Sequence, residues 1–294
     1  MNILQFTGAI ELGLIYSLVA LGVFLSFRVL QFPDLTVDGS FPLGAAVTVS
    51  LISIGVSPIW ATLAALMAGC LSGYVTATLS TRFKVIDLIA GIITMTALYS
   101  INIRVMQGRP NLSIIDKETL ISQLKPGFRS VFDSFALVAF LALLIGGVIL
   151  LCYFFLSSHY GLALRATGNN ARMARANGIA DGRMIQVGLA ASNGLIALAG
   201  SLFGQENAFA DVNLGIGTIV AGLAAVILGE TVLPSKRLMY QILACVLGAI
   251  LYRFVIAFAL NGGDIGLEPT DLNLITATIV AVAMIFPRLK KGAK

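Results

Sequence analysis

Apolar runs of about membrane-spanning length, parted by short polar breaks, make up most of the chain. They fall at about 12–28, 41–56, 58–80, 86–106, 134–157, 185–205, 214–229, 238–260 and 272–287. A helix needs about 20 apolar residues to cross the hydrocarbon layer, so the pattern predicts an all-α polytopic membrane protein of eight or nine transmembrane helices. The third and fifth runs are uninterrupted. The second and seventh are short, rich in glycine and preceded by polar residues, which predicts broken helices. Irregular backbone at membrane depth must be buried in protein or line a water-filled cavity.

Composition narrows the class. Of 294 residues, 58% are hydrophobic and 11% charged, against roughly a quarter charged in a soluble domain. Nine spans use about 180 residues, so no separate soluble catalytic domain fits and residues 1–294 read as one transmembrane domain. The net charge of +5 marks cytoplasmic loops before it suggests nucleic acid, and no nucleic-acid partner is expected. Cys70, Cys152 and Cys245 are odd in number and lie in apolar runs, where small packing residues are expected rather than a disulfide framework. The start lacks the basic region and cleavage site of a signal peptide, so the first hydrophobic segment is expected to stay.

Sidedness follows from Lys and Arg. The tail, with Arg288, Lys290, Lys291 and Lys294, argues for a cytoplasmic C-terminus. Alternation then places Arg28, Arg82, Lys84, Arg165, Arg172, Arg175, Arg183, Lys236 and Arg237 inside, thirteen basic residues with the tail out of 19. Nine spans put the N-terminus outside. Eight, with 31–45 re-entrant, move it inside.

A shift of 177 positions lays residues 12–36 on 189–213 with seven identities, including Phe32 on Phe209 and Asp34 on Asp211. With small gaps, 66–73 resembles 242–249 and 86–95 resembles 270–279. Leu and Ala matches arise by chance in any membrane protein, but the aligned Phe-x-Asp after a span is harder to obtain so. The division is repeat 1 at about 8–106, a linking span at 134–157, a cytoplasmic loop at 158–184 and repeat 2 at about 185–288. An odd span between the copies inverts the second, the arrangement of inverted-repeat transporters.

Three segments carry candidate chemistry. Between the first two runs stand Phe32, Asp34, Thr36, Asp38 and Ser40, with Pro33 and Pro42; they read as pathway lining or, equally, as an interfacial loop whose Asp38 or Ser40 caps the second helix. The repeat partner offers Glu206, Asn207, Phe209, Asp211 and Asn213, as a gate, a ligand contact, a partner for Arg253, or an exposed outer loop. The third segment is cytoplasmic and spans Arg165 to Asp181. Thr167 or Asn169 can cap a short helix there, and Asn177-Gly178 supplies a left-handed stop. Met173, Ala174 and Ile179, flanked by Arg172 and Arg175, then suit docking into a groove of a soluble partner. A merely positive loop would explain the charge but not the caps.

The opening LGLIYSLVALGVFLSFRVLQFPDLTVDGSFPLGAA, the loop LRATGNNARMARANGIADGRMI and GIGTIVAGLAAVILGE at 215–230 resemble the permease subunits of bacterial ABC importers in the branched-chain amino acid and ribose permease superfamily. Within it the chain resembles permeases paired with binding proteins for aromatic amino acids. The resemblance implies a multi-pass protein of the bacterial inner membrane and a homodimeric pair of permeases. It also implies two cytoplasmic ATPase subunits and an extracytoplasmic solute-binding protein. By the same resemblance Arg165, Gly168, Asn169, Arg172, Met173, Ala174, Arg175, Gly178 and Ile179 form the coupling helix inserted into the ATPase. No GxxxxGK[ST] occurs, so ATP and Mg are expected on the partner and no cofactor or metal on this chain. Two rivals remain. An ion-coupled secondary transporter shares the inverted repeat but needs an ion site deep in the membrane. An intramembrane enzyme needs a catalytic constellation, and the lone His159 beside an inner interface supplies none.

Overall fold

In the computed structural model, residues 3–115, 117–122, 131–261 and 278 are described. The expected run at 272–287, its repeat alignment at 270–279 and the basic tail lie outside them, apart from the helical position 278.

Helix α1 (Ile3–Val23) continues as a π-helical turn over Phe24–Val29, and α2 (Val37–Ser53) follows an irregular link. Then come α3 (Pro58–Thr81), α4 (Asp87–Val105), a short strand β1 (Asn111–Ser113) and α5 (Val131–Ser157). On the far side of α5 lie α6 (His159–Asn169) and α7 (Ala171–Ala176), before the long α8 (Asp181–Asn207). Strand β2 (Phe209–Asp211) and a 3-10 turn (Val212–Gly215) lead into α9 (Thr218–Val232) and α10 (Leu238–Asn261). Among the described residues seven helical segments have the length and apolarity to cross a membrane, with α2 shorter at 17 residues, so the protein is an essentially all-α polytopic membrane protein.

Two helices form the centre. The most apolar window is 78% buried in the α1 span and 67% in α8, but only 33%, 28% and 28% in α3, α4 and α5. The peripheral helices turn large apolar residues away from the protein, among them Trp60, Met67, Ile93 and Leu151, as lipid contact requires. Between helices the backbones approach closely. A Cβ on Gly73 would strike the Leu189 carbonyl and one on Gly200 the Phe41 carbonyl, so these glycines let α3 and α2 seat on α8.

The last turn of α1 lies beside the middle of α8, and the π-turn that follows reaches the side that carries α6. Ser192 Oγ donates to Gly22 O at 2.7 Å, and a Cβ on Gly168 would strike Val29 O. Helix α1 therefore begins on the face opposite α6 and α7. The smaller surprise is β1, which pairs antiparallel with β2 (Leu112 opposite Ala210) and ties the loop after α4 over the end of α8.

This arrangement fixes a topology test. A cysteine replacing Gln5, in a background without native thiols, should react with membrane-impermeant maleimide in intact cells, whereas one replacing Arg172 should react only after permeabilisation. Labelling of both from the same side would overturn the antiparallel placement.

Candidate functional site

Helix α1 ends early for its length. After the π-turn, Gln31 takes a left-handed φ of 55°, and residues 31–34 run without regular structure. A π-turn and a non-glycine left-handed residue are both costly local features of the kind that cluster at functional sites. The chain re-enters the protein, and Asp34 becomes fully buried. Its Oδ1 accepts from Thr36 N at 2.9 Å, and its Oδ2 accepts from Asn193 Nδ2 at 2.6 Å. Asn193 stands twelve residues into α8, about 18 Å along it at 1.5 Å per residue.

A seam of polar side chains extends from this contact. Thr36 bonds Thr76 at 2.7 Å, and Ser40 reaches both Asn193 Oδ1 at 2.7 Å and Ser72 at 2.8 Å. Farther along, Thr48 donates to Ser201 at 2.7 Å, while Gln205 Nε2 donates to Thr62 at 2.8 Å. Thr36, Ser40, Thr48, Asn193 and Ser201 are wholly enclosed by protein. The seam joins α2, α3 and α8 by hydrogen bonds where apolar contact alone would not choose between protein and lipid.

The expected pathway residues thus divide. Phe32, Asp34, Thr36 and Ser40 are buried, the polar three inside the seam. Asp38 and Ser40 belong to the first turn of α2, which starts at Val37 rather than near 41. Neither caps that helix. Asp38 instead accepts from Ile219 N at 2.8 Å, so it caps the start of α9 across the molecule. Its carbonyl abuts Gly215, where a Cβ would strike it; Pro42, four residues on, has no N–H to offer that carbonyl. The second segment lies at the opposite face. Asn207 is exposed and donates to Phe203 O at 2.9 Å, Phe209 sits in β2, and Asn213 is exposed. Glu206 is partly buried on the last turn of α8, and Asp211 accepts from Asn213 N at 2.7 Å. Arg253, the suggested partner for these acids, lies 3.5 Å above the Tyr16 ring.

Several contacts respect the 177-residue offset. The Asp34–Thr36 and Asp211–Asn213 turns are the same motif at equivalent positions. Gly200 meets Ala45, and Gly222 meets Val23, their equivalents. Asp38 and Gly215, themselves 177 apart, touch each other.

The basic 165–181 segment needs three corrections. The cap is Asn170, whose Oδ1 accepts from Met173 N at 3.0 Å, neither Thr167 nor Asn169. Arg165, Gly168 and Asn169 belong to α6, and Gly168 packs against α1. Ala174 is only 3% exposed and turns inward, whereas Met173 is 64% exposed. Gly178 does hold the left-handed stop, with φ 79°, and Ile179 is partly buried. Arg175 pairs with Asp181 at 3.4 Å, tying α7 to the first turn of α8, while Arg172 stays exposed. The seam partners Asn193, Ser201 and Gln205 were not singled out from sequence. Their spacing of eight and four places them on one helix face, the signal that could have found them.

The structure thus combines a bundle of membrane-spanning helices, a re-entrant polar break and a short capped helix on the basic face. The branched-chain amino acid transport system permease component family matches residues 6–286, and the chain belongs to that family of ABC permeases. It is 38% identical over 269 residues to the tyrosine transport system permease protein of Clostridioides difficile (strain R20291), covering 91% of this chain and 86% of that one. An uncharacterized protein of Rickettsia prowazekii (strain Madrid E) is 33% identical over 288 residues, 97% of each chain. The fold is similar to PsaBC from Streptococcus pneumoniae in complex with Fab, with a TM-score of 0.52 at 14% identity over 96% of this chain and 91% of that one.

The Asp34–Asn193 contact gives a stability prediction. Asn193→Leu leaves the buried Oδ2 of Asp34 without its partner and should destabilise the purified permease by about 1–3 kcal/mol, read as a lower unfolding temperature. A paired Asp34→Leu change should recover part of that loss, because the two residues share one bond. Additive losses would dissociate them.

Proposed function

We propose that this chain is the membrane subunit of an ATP-driven bacterial importer for an amino acid or related solute. It works in the inner membrane beside a second copy of itself, with two ATPase subunits on the cytoplasmic face and a solute-binding protein outside. ATP and Mg act on the ATPases. The observation that carries this reading is the linkage of α7 to α8: a capped helix presents Met173 to the cytosol, and the Arg175–Asp181 pair fastens it to the helix whose Asn193 holds the Asp34 break. A pull on α7 is delivered along a rigid rod to the polar seam. Opening that seam exposes Asp34, Thr36, Ser40 and Asn193, which can exchange their mutual bonds for those of a polar solute.

The inverted repeat belongs to the same reading. A residue that touches its own repeat equivalent lies beside the axis relating the halves, and the Asp38–Gly215 contact and the matched Gly200–Ala45 and Gly222–Val23 pairs support such an axis. The two breaks then approach the middle from opposite faces, as alternating access needs. The solute class leans on the tyrosine permease relative. Strand β1 and Gln205, which accepts from Leu120 N at 3.1 Å, anchor the outer loop on which a binding protein would sit.

Reconstituted with the ATPase and binding protein encoded beside it, the permease should take up labelled L-tyrosine into liposomes only with ATP. Uptake driven by an ion gradient without the ATPase would favour the secondary-transporter alternative. Met173→Glu should cut ATPase co-purification by about tenfold, the effect of burying an unpaired charge in an apolar contact, while Gln5 labelling stays unchanged. Undiminished co-purification would remove α7 from the docking surface.

A further inference from the structure

A cavity of about 550 Å³ opens on the cytoplasmic face where α1, α6 and α10 leave the membrane. Its floor is the π-turn and the left-handed Gln31 that follows, so two unusual backbone features border one hollow. Phe24, Leu162 and Leu238 make an apolar wall, and Arg28, Arg165 and Gln241 contribute polar groups. The two arginines differ in state. Arg28 is already satisfied: its Nε and Nη2 form a fork on the Glu230 carboxylate at 2.7 and 3.1 Å. Arg165 is exposed, and among the described residues no ion pair or hydrogen bond engages it. Among the described residues the cavity therefore carries one positive charge without an ion-pair partner, beside an apolar wall.

The helix that bears it suits the membrane surface. Helix α6 leaves the α5 span through a one-residue turn capped by Ser158, whose Oγ accepts from Gly161 N. Its outward residues include Tyr160 at 68% and Leu162 at 52% exposure. A tyrosine and a leucine beside an arginine at a span end are the marks of an interfacial helix. Basic pockets between helices on the cytoplasmic side are suited to anionic head groups.

We propose that this cavity binds the phosphate of an anionic phospholipid, with Arg165 as its charged contact, Gln241 and Asn169 as polar neighbours, and the acyl chains along Leu162 and Leu238. Because Gly168, one turn beyond Arg165, rests on the Val29 carbonyl, a lipid held there braces α6 against the π-turn that precedes the Asp34 break. The anion chemistry would also suit a free phosphate ester, and the test separates the two sources.

The full-length permease in nanodiscs of phosphatidylcholine should retain added fluorescent phosphatidylglycerol about tenfold more tightly than the matching phosphatidylcholine probe, the factor expected for one charge-assisted contact. Arg165→Gln should remove most of that preference. Ala166→Trp, which fills the cavity and keeps both arginines, should remove it too. Arg82→Gln, a basic change at the end of α3, should leave it intact. Equal retention of the two probes, unchanged preference in both cavity variants, or an equal loss in Arg82→Gln would overturn the site. Displacement of the lipid probe by millimolar glycerol phosphate would overturn the lipid as occupant. None of these readings depends on transport.

Discussion

A carboxylate inside a membrane protein survives only in company, and Asp34 finds it in the side-chain amide of Asn193, 2.6 Å away and 159 residues along the chain. Asp34 and Thr36 are fully buried, so the polar groups there have to be met by protein. The bond pins the re-entrant link to the middle of α8, and α2 begins where that pin allows. Thr76 and Ser72 on α3 complete the enclosure. Together with Thr48–Ser201 and the close approach of Gly200 to Phe41, it sets the depth and register of the short helix α2.

The glycines serve the same constraint. Side chains as short as Ser and Thr meet across helices only when the backbones nearly touch, and Gly73 and Gly200 remove the atoms that would hold them apart. The seam is thus tight but built from individually modest bonds, each about 1 kcal/mol or less between membrane helices. Under the proposed function such a seam parts and recloses, whereas a core interlocked by large apolar side chains would resist repeated separation.

Charge appears at the edges, where work enters. The Arg175–Asp181 pair is exposed and contributes at most about 1 kcal/mol to stability; under the proposed function its value is to tie α7 to the first turn of α8. The fork between Arg28 and Glu230 links the ends of α1 and α9 in the same way. Both central helices therefore carry an ion pair on the side of α6 and α7, close to the cavity that exposes Arg165.

The sequence by itself marked the apolar runs that the described residues fold as spans, the two short glycine-rich helices and a small helix between 165 and 181. These are local properties: hydropathy is summed over a window, and a cap lies within a few residues of what it caps. Tertiary structure alone decided which residues those features meet. Asp38 was legible as a cap, but the helix it caps, α9, starts 180 residues later. Ala174 and Met173 are adjacent and both apolar, yet only Met173 faces outward. In a soluble helix, polarity tells the inner face from the outer. Here lipid and protein interior are both apolar, that contrast vanishes, and the choice of face and partner falls to glycine fit and to hydrogen bonds between residues far apart in the chain.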